Sequence, residues 1–174
     1  MKRFTIGLAA ILGLATFSAE AALAETKVKL TNMHICCGGC TKGILKAVEG
    51  LSAVKVDVDQ DNEEATITAD DAASAQKAID AIAAAGYHAT VSGEGVSMPA
   101  GTAPDGKVQR LTVSNAHNCC GACTKAIQAA MKTVDGVQAD TCKPRVPEFV
   151  VEGNFEAKAL VAALEKVGFH VTVK

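Results

Sequence analysis

The chain is written twice. Asn32-Met33-His34-Ile35-Cys36-Cys37-Gly38-Gly39-Cys40-Thr41-Lys42 recurs 83 positions later as Asn115-Ala116-His117-Asn118-Cys119-Cys120-Gly121-Ala122-Cys123-Thr124-Lys125. The match runs through Val54 against Val137 and Ile67 against Val150, and closes with Gly86-Tyr87-His88 against Gly168-Phe169-His170. A repeat of this length is too long for a solenoid unit and predicts two small domains in tandem. Between them, Ser92 to Gly106 is rich in Gly, Ser and Pro, with Pro99 and Pro104, and reads as a flexible linker. The partition is residues 25–92, a linker over 93–107, and residues 108–174.

Residues 1–24 precede the first copy. Lys2 and Arg3, the apolar run from Ile6 to Phe17 and the small-x-small Ala22-Leu23-Ala24 have the order of a secretory signal peptide, with cleavage after Ala24. The run is short for a membrane span and no second one follows. The mature chain is therefore expected to be soluble and exported, which in a bacterium means the periplasm, a compartment that permits disulfides. A net charge of −2, 3% aromatics and no Trp exclude the basic, stacking surface of a nucleic-acid binder. There is no Ser-His-Asp set, Gly-rich phosphate loop or paired-carboxylate site, so an enzyme is not expected.

Both copies share one order of elements. Val28-Lys29-Leu30 and Val108 to Val113 have strand character, and a Cys-Cys-Gly-x-Cys loop follows each. Thr41 to Gly50 then places Ile44, Leu45, Val48 and Leu51 on one helical face, as Ile127, Met131 and Val134 do in copy two. Gly50 and Gly136 stand where those helices should stop. Val54 to Val58 alternates as a strand, Asp59 to Glu64 is a polar turn rather than a Ca²⁺ loop, and Ala65 to Ala69 is the next strand. A helix over Ala75 to Ala85 ends at Gly86, and Ala89-Thr90-Val91 closes the unit. The order is βαββαβ, so the fold class is α+β with two ferredoxin-like domains. Pro144 and Pro147 predict a longer, stiffer loop over Cys142 to Glu148 in copy two.

That topology gathers three connections at one pole: the cysteine loop, the central hairpin, and the turn that carries His88 or His170. Seven cysteines in a short chain mean disulfides, metal or thiol chemistry. Cys37-x-x-Cys40 and Cys120-x-x-Cys123 put two sulfurs at chelate distance across one turn. The second falls in the first turn of a helix, where the dipole, the free N–H groups and Lys42 or Lys125 favour thiolate.

These residues resemble the heavy-metal-associated domain family, which includes copper metallochaperones, the periplasmic mercuric-ion binding protein and the N-terminal modules of metal-pumping P-type ATPases. The resemblance covers both repeats. The family motif is Gly-Met-x-Cys-x-x-Cys, and its two cysteines bind Cu(I), Hg(II) or Zn(II). It falls on Cys37 and Cys40, and on Cys120 and Cys123. The family's Gly-Tyr or Gly-Phe before the last strand matches Gly86-Tyr87 and Gly168-Phe169. Two positions depart from the motif. The Met is Ile35 in copy one and Asn118 in copy two, which predicts a lost apolar tether there, and an extra cysteine, Cys36 or Cys119, precedes each pair.

Soft thiolates select Cu(I), Hg(II) or Zn(II), and two sulfurs suit Cu(I) or Hg(II) better than four-coordinate zinc. Cys36 and Cys119 are third ligands or are turned away from the ion. His88 and His170 are further candidate ligands, His34 and His117 share their pole, and Cys142 is a ligand, a disulfide partner or a spare thiol. Met33, Met98 and Met131 are too scattered for a methionine site. The expected function is transfer or sequestration of a soft ion, copper first, with a metal-transporting membrane protein or another metal-binding domain as partner. A mercuric-ion scavenger, a thiol–disulfide redox protein and a disulfide-held interaction module are the alternatives.

Overall fold

A computed structural model of the chain describes residues 25–174, so the signal peptide read over residues 1–24 lies outside the described residues. The first repeat builds β1 (Thr26–Thr31), α1 (Gly38–Ala47), β2 (Val54–Asp59), β3 (Glu64–Ala69), α2 (Ala72–Ala84) and β4 (Thr90–Ser92). The second builds β5 (Lys107–Ser114), α3 (Gly121–Met131), β6 (Val137–Asp140), β7 (Phe149–Glu156), α4 (Ala157–Lys166) and β8 (Thr172–Val173). Each forms a four-stranded antiparallel sheet, ordered β2-β3-β1-β4 and β6-β7-β5-β8. This is the ferredoxin-like βαββαβ arrangement, present twice.

Alternation explains the layers. Val28 and Leu30 of β1, with Ala65, Ile67 and Ala69 of β3, point inward to the helices, while Lys27, Lys29 and their neighbours face solvent. Leu111 and Val113 of β5, with Phe149 and Val151 of β7, repeat the pattern. In α1 the buried face is Cys40 and Ile44, four residues apart. Leu45, read as core, is instead 43% exposed because it lies one step around the helix from that face. Helix α2 begins earlier than its apolar periodicity suggests, at a cap where Asp71 accepts from the Ser74 N–H at 2.6 Å. The acidic turn is a hairpin in which the Asp59 carboxylate accepts from the backbone N–H of Asp61 and Asn62.

The segment read as a flexible linker is pinned. Gln76 both donates to and accepts from the Ser97 backbone, and the Gly101 N–H donates to Glu165 Oε1 at 2.6 Å. Met98 and Ala103 pack against the core. Pro-rich sequence predicts an extended path but does not say whether neighbouring side chains grip it.

The two modules dock by reciprocal contacts at their cysteine poles. Tyr87 and Phe169 form an antiparallel bridge; the His88 N–H donates to Gly168 O and the His170 N–H to Gly86 O. Gly86 has φ +89° and packs on the Asn115–His117 backbone; Gly168 has φ +87° and packs on Met33 and His34. Each turn thus seats on the other module's metal loop, and residue equivalence under the repeat is preserved across the contact.

Candidate metal centre

The cysteine loops are shaped by their helices. Cys37 and Cys120 are extended N-cap residues of α1 and α3, and Cys40 and Cys123 lie in the first turns behind them. The Cys40 N–H bonds Cys37 O at 2.9 Å, closing the loop. The backbone N–H groups of Cys40 and Gly39 at the helix start also face the Cys37 sulfur, and they bring its pKa down to about 7.

Docking brings six sulfurs together. Cys37 and Cys40 stand 3.9 Å apart, Cys120 and Cys123 3.8 Å. Cys36 reaches Cys120 and Cys123 at 3.6 Å each; Cys119 reaches Cys37 at 3.8 Å and Cys40 at 3.6 Å. The sets are joined by Cys36–Cys40 at 3.7 Å and Cys119–Cys123 at 3.5 Å. All six thiols are free, and no pair is near the roughly 2.05 Å of a disulfide. Cys40 and Cys123 are buried, the others half-buried.

Charge is unevenly shared among them. Cys40 and Cys123 lie within 4.8 Å and cannot both ionise, so Cys123 is held toward thiolate and Cys40 toward thiol. His117 and His34 face Cys123 and push the same way. Burial raises Cys36, and raises Cys119 to about 12. A cage that resists multiple negative charges when empty is one that a cation stabilises.

The histidines divide between two places. His34 lies with Cys36 and Cys123, and His117 with Cys40 and Cys123, each set within 4.8 Å. The His117 ring stacks on Tyr87 across the junction at 3.9 Å and on Phe169 at 4.6 Å, and the His34 ring packs tilted against Phe169 at 4.7 Å between centroids. His117 Nδ1 pairs with Gly86 O at 2.8 Å. His88 and His170 gather instead with Glu165, their rings parallel at 6.1 Å and the three ligand atoms within 4.8 Å. Their buried Nδ1 atoms have no hydrogen-bond partner. A two-histidine, one-carboxylate set suits a borderline divalent ion rather than Cu(I). Glu165 was not picked out from sequence. Its repeat equivalent is Ala83, so only the break in the repeat marks it.

The remaining candidates are structural. Cys142 is buried and away from the other sulfurs; it accepts from Asn118 Nδ2 at 3.5 Å, and burial raises it to about 11. Asn118 replaces the expected apolar tether with hydrogen bonds. Its amide donates to Lys143 O at 2.8 Å and Val146 O at 3.1 Å, and its Oδ1 accepts from Thr124 at 2.8 Å. The tether of copy two is thus exchanged, not lost, and it carries the stiff proline loop. Tyr87 donates to Cys40 O at 3.1 Å, fixing the carbonyl of the second ligand.

Among solved structures, the chain is similar to the N-terminal soluble domains of Bacillus subtilis CopA, at 18% identity and a TM-score of 0.33, covering 86% of this chain and 94% of that one. It is also similar to the first two RRM domains of yeast poly(U) binding protein, at 11% identity and a TM-score of 0.26, covering 85% and 97%. Among the described residues, no helix is long and apolar enough to cross a membrane. Residues 27–88 match the heavy-metal-associated domain, and that match contains Cys36, Cys37 and Cys40. The matched segment carries the βαββαβ order and the Cys-x-x-Cys pair at a helix N-terminus, and it is over these residues that the chain is similar to the heavy-metal-associated domain.

Proposed function

We propose that the protein is an exported, non-catalytic carrier or store of a soft metal ion, Cu(I) foremost, held by thiolates that both modules supply. One observation carries this reading: six free thiols converge at a single junction, with neighbours 3.5–3.9 Å apart. Sulfur-rich, oxygen-poor sites select Cu(I) over hard ions. Thiols packed this closely repel as thiolates unless a cation lies among them. Ion release follows by ligand exchange. A partner's thiolate attacks the bound ion, a shared intermediate forms, and a resident thiolate leaves. A metal-transporting membrane protein or another metal-binding domain is the partner chemistry this suits. The buried Cys40 and Cys123 favour retention, and half-buried Cys37 and Cys120 are the points of attack.

The test is Cu(I) titration of reduced residues 25–174 against a competing chelator, with Zn(II) and Hg(II) in parallel. Two tight Cu(I) per chain, preferred over Zn(II), are expected. Absence of tight Cu(I) binding rejects the copper reading, and tight binding of Hg(II) alone transfers it to mercuric-ion scavenging. Export is tested by locating the tagged protein in cell fractions. A second reading, thiol–disulfide exchange, is favoured by the Cys37 thiol, brought to about 7 at a helix N-terminus. It requires metal-free dithiol exchange activity that Cys37→Ser abolishes.

A further inference from the structure

The six sulfurs do not divide by module. The eight sulfur–sulfur contacts contain two closed triangles. One joins Cys37, Cys40 and Cys119, with sides of 3.9, 3.8 and 3.6 Å. The other joins Cys120, Cys123 and Cys36, with sides of 3.8, 3.6 and 3.6 Å. Each triangle holds one module's Cys-x-x-Cys pair and the extra cysteine of the facing module.

We propose that ligation is crossed: Cys119 is the third thiolate of the first module's metal ion, and Cys36 that of the second. This rests on the soft-metal reading above and specifies its ligand sets. An ion centred in either triangle would lie about 2.2 Å from each sulfur, close to the roughly 2.3 Å of a metal–thiolate bond. The crossing has a backbone cause. Cys36 and Cys37 are consecutive, Cys37 is extended at φ −164° and ψ 166°, and successive side chains of extended chain point to opposite sides. The sulfurs of Cys36, Cys37 and Cys40 lie within 4.8 Å, but Cys36 and Cys37 make no contact like those above, so the module's own trio does not close. The same holds at Cys119 and Cys120, where Cys120 is extended at φ −154° and ψ 177°. Seating of Gly86 and Gly168 on the opposite loops holds each extra cysteine over the neighbour's pair. A consequence is that neither module keeps a three-sulfur site alone; undocking converts both sites to two-coordinate ones and eases departure of the ion.

The test isolates one triangle at a time. With Cys37→Ser/Cys40→Ser in place, the full two-module chain retains Cys120, Cys123 and both extra cysteines. It is expected to bind one Cu(I) with three sulfur neighbours by X-ray absorption. Adding Cys36→Ser should weaken that ion by about ten- to hundredfold or more, since losing a ligand costs at least what losing its supporting partner does. The sulfur count should fall to two, while Cys119→Ser should leave both unchanged. In the reciprocal Cys120→Ser/Cys123→Ser background the roles exchange, so misfolding of one variant cannot mimic the pattern. Sensitivity to the module's own extra cysteine, or to neither, overturns crossed ligation. Failure of the soft-metal reading shows separately, as a parent chain that binds no Cu(I) tightly.

Discussion

Gly43 and Tyr87 are matched residues. A methyl group at position 43 would run into the Tyr87 hydroxyl, which donates to Cys40 O. The second module has Ala126 and Phe169 at the equivalent positions: the hydroxyl and the glycine are exchanged together. Tyr87→Phe should cost about 1 kcal/mol, the net value of one hydrogen bond, read from denaturant melts. Gly43→Ala alone should cost more, and the double substitution less than the two summed, because the second change removes the clash. Cys142 has the opposite standing from Cys36. Cys142→Ala should leave the number of bound Cu(I) ions unchanged in the chelator titration and lower only stability, since its sulfur meets Asn118 and no other cysteine. Sequence spacing singles out the four motif cysteines as candidates. The path of Cys36 and Cys119 was not legible, because a side chain aimed out of its own module is defined only by what it meets. The two histidine pairs posed the same problem: both lie at one pole, and only docking decides that His34 and His117 face sulfur while His88 and His170 face Glu165.

At the scale of elements, the helix N-terminus and the α2–β4 turn do different work. The α1 start tunes reactivity. Cys37 should be alkylated by iodoacetamide with a rate that rises through a titration near pH 7, below the usual thiol value of 9.0. The turns set the docking. Gly86→Ala or Gly168→Ala puts a methyl group against the facing module's backbone, at a positive φ that glycine alone adopts easily. Each change should separate the modules while sparing the sheets, seen as a larger radius of gyration with unchanged far-UV dichroism and weakened Cu(I) binding, although no cysteine is touched. Order and type of the elements were legible from the repeat, the alternation and the stop glycines. The Leu45 misreading shows the limit: a helical stripe fixes a face to within about one residue's 100° turn, and tertiary contact chooses the edge.

For the whole molecule, acidity should loosen the junction. Burial lowers the pKa of His88 and His170 from 6.5, opposed in each case by the nearby Glu165 carboxylate and reinforced for His88 by His170. A histidine whose folded pKa is depressed binds protons more readily once released. It contributes nothing above the unfolded value and destabilises progressively as pH falls below 6.5 toward the folded value. The metal-free protein should therefore expand in small-angle scattering and melt earlier between about pH 7 and pH 5, where imidazole titrates. The double change His88→Asn/His170→Asn should flatten that dependence. The pinned segment between β4 and β5 has a further consequence for this assembly. Gln76 grips it at Ser97 and Glu165 at Gly101, so the second loop is delivered to the first at a fixed, high effective concentration. The six-thiol cage then forms within one chain at any dilution, and the occupancy of its sites follows the supply of the ion rather than the abundance of the protein.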